Sequence, residues 1–303
     1  MQDKIEEFLA DMLPALIEKH QLPAEFRATA ENFYLPLVNK LSLLHSDARP
    51  LLLGINGAQG TGKSTLAEFL QLATQHLFGW QTAVLSIDDF YLTRAERQKL
   101  GRDVHPLFET RGVPGTHDTA MLKTYMHRLE RLAAGETLLL PKFDKASDDR
   151  APQTQWNRVE GPLDLIVLEG WCVGSEAQAP DALRVPVNTL ERVEDPTAIW
   201  RTTANEYLAT TYKAIFSRLD ALVFLVAPSF DAIHRWRLEQ EQKLTEPSAT
   251  SAAAIMNEDQ LRRFIQFYER LTRHNLDTLA DSADFVLTLD AKHAVVSSKS
   301  ISA

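Results

Sequence analysis

One cysteine, Cys172, stands in 303 residues. A single thiol excludes an intrachain disulfide and any cysteine-based zinc site. It suits a reducing compartment, with Cys172 expected as a small buried hydrophobe. Long apolar runs are also missing, and no stretch reaches the ~18 residues that a membrane span needs. The opening stretch, MQDKIEEFLADMLPAL, carries acidic residues early and lacks a long apolar core, so it does not read as a secretory leader. A basic excess is absent too. Against 41 Asp and Glu there are 32 Lys and Arg, a formal net charge of -9, which is poorly matched to nucleic-acid phosphates. The expectation is a cytoplasmic protein that binds neither nucleic acid nor membrane, with no obligate protein partner evident. Any anionic ligand must be met by a local cluster of cations.

What is present is a chain with 45% hydrophobic residues, long enough to bury a full core. IEEFLADMLPALIEKH puts Ile5, Phe8, Leu9, Met12, Leu13 and Leu16 near helical spacing, with Pro14 expected to kink or divide the helix. A second helical stretch runs from Pro23 to about His45. Residues 1–48 therefore read as a helical N-terminal extension, 49–290 as the main domain and 291–303 as a frayed tail. From Leu51 the pattern changes to short aliphatic runs bounded by Gly, Pro or Asp: LLLGIN, TAVLSI (82–87), LDLIVL (163–168), ALVFLVA (221–227) and DFVLTL (284–289). Such runs suit strands buried on both faces. Helical patterns at 64–77, 118–134, 197–217, 229–245 and 258–280 alternate with them. The alternation predicts an α/β fold, a parallel sheet wrapped by helices. Segments 144–160 and 172–196 read as loops over an active face, and EPSATSAAA (246–254) as a mobile stretch. There is no internal repeat.

Between the first strand and the first helix of that pattern lies GAQGTGKST. Gly57, Ala58, Gln59, Gly60, Thr61, Gly62, Lys63 and Ser64 match G-x-x-x-x-G-K-[ST], and Thr65 follows. The glycines let successive backbone N–H groups turn into one concavity that phosphate oxygens fill. Lys63 reaches the β- and γ-phosphates, the Ser64 hydroxyl can bind Mg²⁺, and the helix adds its positive N-terminal end. A chance match in a chain this long is on the order of 1%, and the strand-loop-helix context reduces that further. The motif predicts a site for ATP or GTP.

Ligands of parallel α/β sheets gather at the carboxyl ends of the strands. The second run is followed by Asp88 and Asp89, then Phe90 and Tyr91, a place for a general base or a metal ligand. LDLIVL is followed by Glu169, the Walker B arrangement that orients Mg²⁺. FETRGVPGTHD offers Arg111 and His117 for substrate contact and Asp118 as a helix N-cap. LLLPKFDKASDDR offers Lys142, Asp144 and Arg150, with Lys145 expected in a solvated charged loop. SFDAIHRWRLEQEQK carries Arg235 and Arg237, which do not share a helix face. One of the two is expected over the transferring phosphate.

The segments GAQGTGKST, SIDDFYLT, HPLFETRGVPGTHD, PKFDKASDDR, IVLEGW, RWRLEQEQ and YERLTRHNL resemble the plant-type D-glycerate 3-kinase family. More broadly, the chain is similar to the uridine kinase, phosphoribulokinase and pantothenate kinase group. The resemblance covers roughly residues 50–290. It implies a P-loop NTPase fold with a five-stranded parallel sheet of order 2-3-1-4-5, helices on both faces and a lid. It implies ATP- and Mg²⁺-dependent phosphorylation of a small hydroxy acid, D-glycerate, to 3-phosphoglycerate. By this resemblance Asp88 acts on the substrate hydroxyl, Glu169 is the Walker B acid, and the lid arginine is Arg235, with Arg237 second. Ser64, Glu169 and Asp88 would serve the metal. Asp89, Tyr91, Arg111, His117, Lys142, Asp144 and Arg150 would face the acceptor. The residues alone leave other acceptors open: a nucleoside, a pantothenate-like compound or a sugar alcohol. A nucleotide-dependent switch or assembly ATPase also stays open, although the Asn-Lys-x-Asp motif of GTP switches is missing.

Overall fold

The structure is a computed structural model and describes residues 1–244 and 258–300. The stretch 246–254, expected to be mobile, lies outside the described residues. Among the described residues there are ten strands: β1 Leu51–Gly57, β2 Thr82–Ser86, β3 Thr137–Leu140, β4 Phe143–Asp144, β5 Asp149–Arg150, β6 Asn157–Glu160, β7 Leu165–Gly170, β8 Ala221–Val226, β9 Phe285–Leu289 and β10 Val295–Ser300. Six of them form the main sheet in the order β10-β9-β8-β1-β7-β2. The pairs β2–β7, β7–β1, β1–β8 and β8–β9 are parallel. Counted along the chain, the parallel strands thus stand 2-3-1-4-5.

The sheet corrects the expectation of five purely parallel strands, because β10 pairs antiparallel with β9. Residues 295–300 therefore form a strand, not a frayed tail. The turn before it is tied by Asp290, whose Oδ1 accepts from Lys292 N at 2.8 Å and Ala294 N at 3.0 Å. Only Val295 of β10 is buried, so an edge strand facing solvent has no apolar pattern to announce it.

Every residue of β1 and β7 is buried, which explains their unbroken aliphatic runs. Helices cover both faces of the sheet. Lys63–Phe78 follows β1, and the N-terminal helices pack on its outer side: Phe8 meets Phe69 edge-to-face at 5.3 Å, and Tyr34 meets Phe69 at 5.2 Å. Just before Pro14 the first helix widens into a π turn over Phe8–Met12, as expected where proline supplies no N–H. A helix over Arg94–Asp103 was not foreseen. It carries a reciprocal capping box between Thr93 and Glu96. Segment 144–160 contributes β5 and β6, which pair with the preceding β4 and β3. Among the described residues no helix is long and apolar enough to cross a membrane.

Candidate active site

The glycine-rich loop joins β1 to the helix Lys63–Phe78, with Gly62 as N-cap at φ 86°. The loop folds on the Ala58 carbonyl. That oxygen accepts from Thr61 Oγ1 at 2.8 Å, Thr61 N at 3.3 Å and Lys63 Nζ at 3.1 Å. Gly60 has φ +83°, and a Cβ there would stand 3.0 Å from the Cβ of Trp236. Only glycine meets both demands cheaply. Burial pushes the Lys63 ammonium below the ordinary lysine range, opposed by the charges of Glu169 and Asp88.

In front of the loop is a cleft of about 470 Å³. Its floor is made by strand ends, because β1, β7 and β2 run parallel and finish side by side. Glu169 is level with Ile55 of β1 and Ser86 of β2. It is 6% exposed, and its Oε1 accepts from Ser64 Oγ at 3.4 Å. Asp88 and Asp89 lie on the single turn Ile87–Phe90 after β2, and both line the cleft. Their roles diverge. Asp89 Oδ1 accepts from Phe143 N at 3.0 Å, tying down β4, and burial raises its carboxyl above the ordinary range. Asp88 accepts from Tyr91 Oη at 3.1 Å and from Lys145 Nζ at 2.8 Å. Burial alone would raise Asp88, but the Lys145 ammonium and its hydrogen bond lead the opposing effects and hold it below the ordinary range.

Lys145 reaches this position because the turn between β4 and β5 is pinned from behind. Asp148, at φ +55°, is paired with Arg97 at 2.9 Å and with Arg111. Arg97 is 1% exposed and also donates to the Asp148 carbonyl at 2.7 Å. Arg111 in turn lines the cleft. Aromatic rings complete the wall. Trp171 and Tyr268 meet edge-to-face at 4.8 Å, and Trp171 Nε1 donates to Gly112 O at 3.1 Å. Gly112, at φ +143°, leaves room for Tyr268, whose hydroxyl would be 2.5 Å from any Cβ there.

The structure therefore gathers Gln59, Gly60, Lys63, Ser64, Asp88, Asp89, Tyr91, Arg111 and Glu169 around one cleft. Gly57, Ala58, Thr61, Gly62 and Thr65 of the loop do not line it, and neither do five expected residues outside the loop. Arg235 is exposed while Arg237 lines the cleft, because the buried Trp236 between them fixes the rotation of the helix. Arg237 Cζ stands 5.7 Å from the Phe264 ring centre. His117 is buried behind Tyr91, stacked on it at 4.4 Å, with Nδ1 2.7 Å from Tyr212 Oη. Burial lowers its pKa to about 4, so it is neutral near pH 7. Arg150 reaches Tyr91 O at 3.3 Å and Asp118 Oδ2 at 3.4 Å, a clip between segments. Asp144 accepts from Ala146 N at 3.0 Å within its own turn, and Lys142 is exposed. Asp118 caps its helix, as expected, by accepting from Met121 N at 2.9 Å. Cys172 is a free, fully buried thiol.

Lys145 is exposed, as expected, but its ammonium also pairs with Asp88. Ser86, Trp171, Phe264 and Tyr268 also line the cleft without having been singled out. Trp171 was within reach of sequence reasoning, since it stands two residues beyond Glu169 at the same strand end.

No family model matches the chain. It is 34% identical over 207 residues to the uncharacterized kinase mug58 of Schizosaccharomyces pombe, covering 65% of this chain and 72% of that one. It is 30% identical over 261 residues to the chloroplastic D-glycerate 3-kinase of Arabidopsis thaliana. The chain belongs to the plant-type D-glycerate 3-kinase family of P-loop kinases. The match to the plant protein takes in 80% of this chain and 53% of the plant protein's length. The solved D-glycerate 3-kinase of Cryptococcus neoformans var. grubii superposes with a TM-score of 0.72 over 92% of this chain and 100% of that one. The two are 23% identical, a likeness of fold.

Proposed function

We propose that this P-loop kinase transfers the γ-phosphoryl group of ATP to the 3-hydroxyl of D-glycerate, giving 3-phosphoglycerate and ADP. The observation that carries the reading is the cluster facing Lys63 across one cleft: a carboxylate, Asp88, with Lys145 and Arg111 beside it. The cations match the carboxylate of a hydroxy acid, and the planar fork of Arg111 suits it in particular. The names of the relatives in the plant and in Cryptococcus support glycerate among hydroxy acids.

In this reading Asp88 takes the proton of the acceptor hydroxyl as its oxygen bonds to the γ-phosphorus and ADP leaves. Lys145 must then release Asp88, and the carboxylate of the acceptor gives it an alternative partner. Lys63 and Arg237 balance charge spreading over the transferred group. Among the described residues no three His, Cys, Asp or Glu side chains gather as a metal cage. The Ser64 and Glu169 oxygens, 3.4 Å apart at the end of the loop, fit a Mg²⁺ ion that keeps waters and phosphate oxygens in its shell. When bound, that ion would neutralise phosphate charge.

The wall of Tyr91, Trp171, Phe264 and Tyr268 favours a second reading, an acceptor with a flat or apolar body such as a nucleoside. The test is purified protein with ATP and Mg²⁺ against D-glycerate, L-glycerate, pantothenate, uridine and ribulose 5-phosphate, followed by ADP release. The reading requires the highest kcat/KM on D-glycerate. A much higher value on another acceptor would overturn the substrate and keep the kinase. ADP release independent of every acceptor would point to an ATPase switch.

A further inference from the structure

The turn between β9 and β10 reaches the phosphate loop. His293 Nδ1 lies 2.9 Å from the carbonyl oxygen of Gly60, 233 residues away. A carbonyl only accepts, so the ring proton sits on Nδ1. The same imidazole stacks on Trp236, with ring centres 4.3 Å apart and planes at 27°. Trp236 is 1% exposed, donates from Nε1 to Ala291 O at 3.0 Å, and fills the space beside Gly60. On the next turn of that helix, Glu239 Oε2 is 3.8 Å from His293 Nε2. One side chain thus joins the phosphate loop, the helix bearing Arg237 and the β9–β10 turn. His293 itself has φ +66°, a left-handed conformation that histidine tolerates better than most residues. It does not line the cleft.

We propose that His293 is a positioning residue for nucleotide binding. The peptide between Gly60 and Thr61 is held at both ends, its carbonyl by His293 and its N–H by Ala58 O at 3.3 Å. Glycine leaves the Gly60 backbone conformationally permissive, so without the imidazole this peptide swings and the loop N–H groups stop converging on phosphate oxygens. The stack on Trp236 sets the same loop in register with Arg237. This inference rests on the reading that the loop binds a nucleoside triphosphate.

The test is calorimetric binding of ADP and of a non-hydrolysable ATP analogue to the full chain with Mg²⁺, beside steady-state kinetics. His293→Phe keeps a ring on Trp236 but cannot donate. It should weaken nucleotide binding about tenfold, the worth of one good hydrogen bond, with its thermal midpoint near that of wild type. His293→Ala should lose at least as much, and His293→Gln, which retains an N–H donor, should recover part of the loss. The KM for the acceptor should stay within about twofold in all three. Unchanged nucleotide affinity in His293→Phe overturns the proposal, and so does an acceptor KM that rises in step with nucleotide affinity. A wild-type chain that binds no nucleotide overturns the proposed function first, and this inference with it.

Discussion

Lys145 Nζ is 2.8 Å from Asp88 Oδ2, across 57 residues of sequence. The ammonium is the main influence holding the Asp88 carboxyl down against its burial. Lys145→Met removes that charge and leaves the burial. The Asp88 pKa should then rise, and the acid limb of the kcat/KM profile should move to higher pH. If the limb stays in place while the rate drops, Lys145 serves the acceptor and not the ionisation of Asp88.

Asp88→Asn should reduce kcat by roughly 10²–10⁴-fold, the usual weight of a positioned general base, with nucleotide affinity little changed. Asp89→Asn should change kcat far less, because its amide oxygen can still accept from Phe143 N as the carboxylate does. Its thermal midpoint should stay near that of wild type. A larger kcat loss in Asp89→Asn than in Asp88→Asn would reverse the assignment.

The two neighbouring arginines make a sharper comparison. Arg237→Ala should cost about 10³-fold in kcat, the lower end of the scale for arginines that stabilise transferring phosphate. Arg235→Ala, an exposed position, should stay within about twofold of wild type. Equal losses at both positions would mean that the helix rotates in the working enzyme.

Glu169→Gln should raise the Mg²⁺ concentration needed for half-maximal rate, because Glu169 shares the end of the loop with Ser64 at 3.4 Å. A superimposable Mg²⁺ titration would assign Glu169 to structure alone.

His117 sets a pH dependence of folding. Its pKa falls from 6.5 to about 4 on burial. Between those values the unfolded chain binds a proton that the native state refuses, so stability rises with pH there. It should be complete above about pH 6.5 and reduced by about 3 kcal/mol near pH 4. His117→Phe, which keeps a ring against Tyr91, should flatten this part of the stability profile in denaturant titrations. An equally steep profile in the variant would place the slope elsewhere.

Features that depend on neighbours along the chain were legible in the sequence. The loop spacing, the acids closing β2 and β7, and the alternation of buried strands with helices are all local patterns. The helix Arg94–Asp103 has a local signal too, Thr93 and Glu96 three residues apart. Contacts across the fold were not legible. Lys145 meets Asp88 only because Arg97 and Arg111 grip Asp148, and no spacing encodes that. The choice between Arg235 and Arg237 waits on the burial of Trp236. Arg150 and His117 look like substrate groups in one dimension, yet the hydrogen bonds they make go to Tyr91, Asp118 and Tyr212 of the protein itself. The retained resemblance to a kinase family covers the cleft as a whole and does not sort such residues.

The antiparallel β10 has a bearing on how this protein behaves in solution at high concentration. β9 reads FVLTL, five residues without charge, proline or glycine, the composition that adds to foreign strands most readily. β10 occupies its open side, and a register irregularity between Val295 and Ser297 with Ser298 and Lys299 beyond it gives the outermost edge a bulge, a charge and hydroxyls, features that discourage further pairing. A chain cut before Val295 would leave β9 as the terminal strand and expose a template for self-association. Its gain in light scattering over time, with kinase activity initially intact, would separate this guarding role from anything done in the cleft.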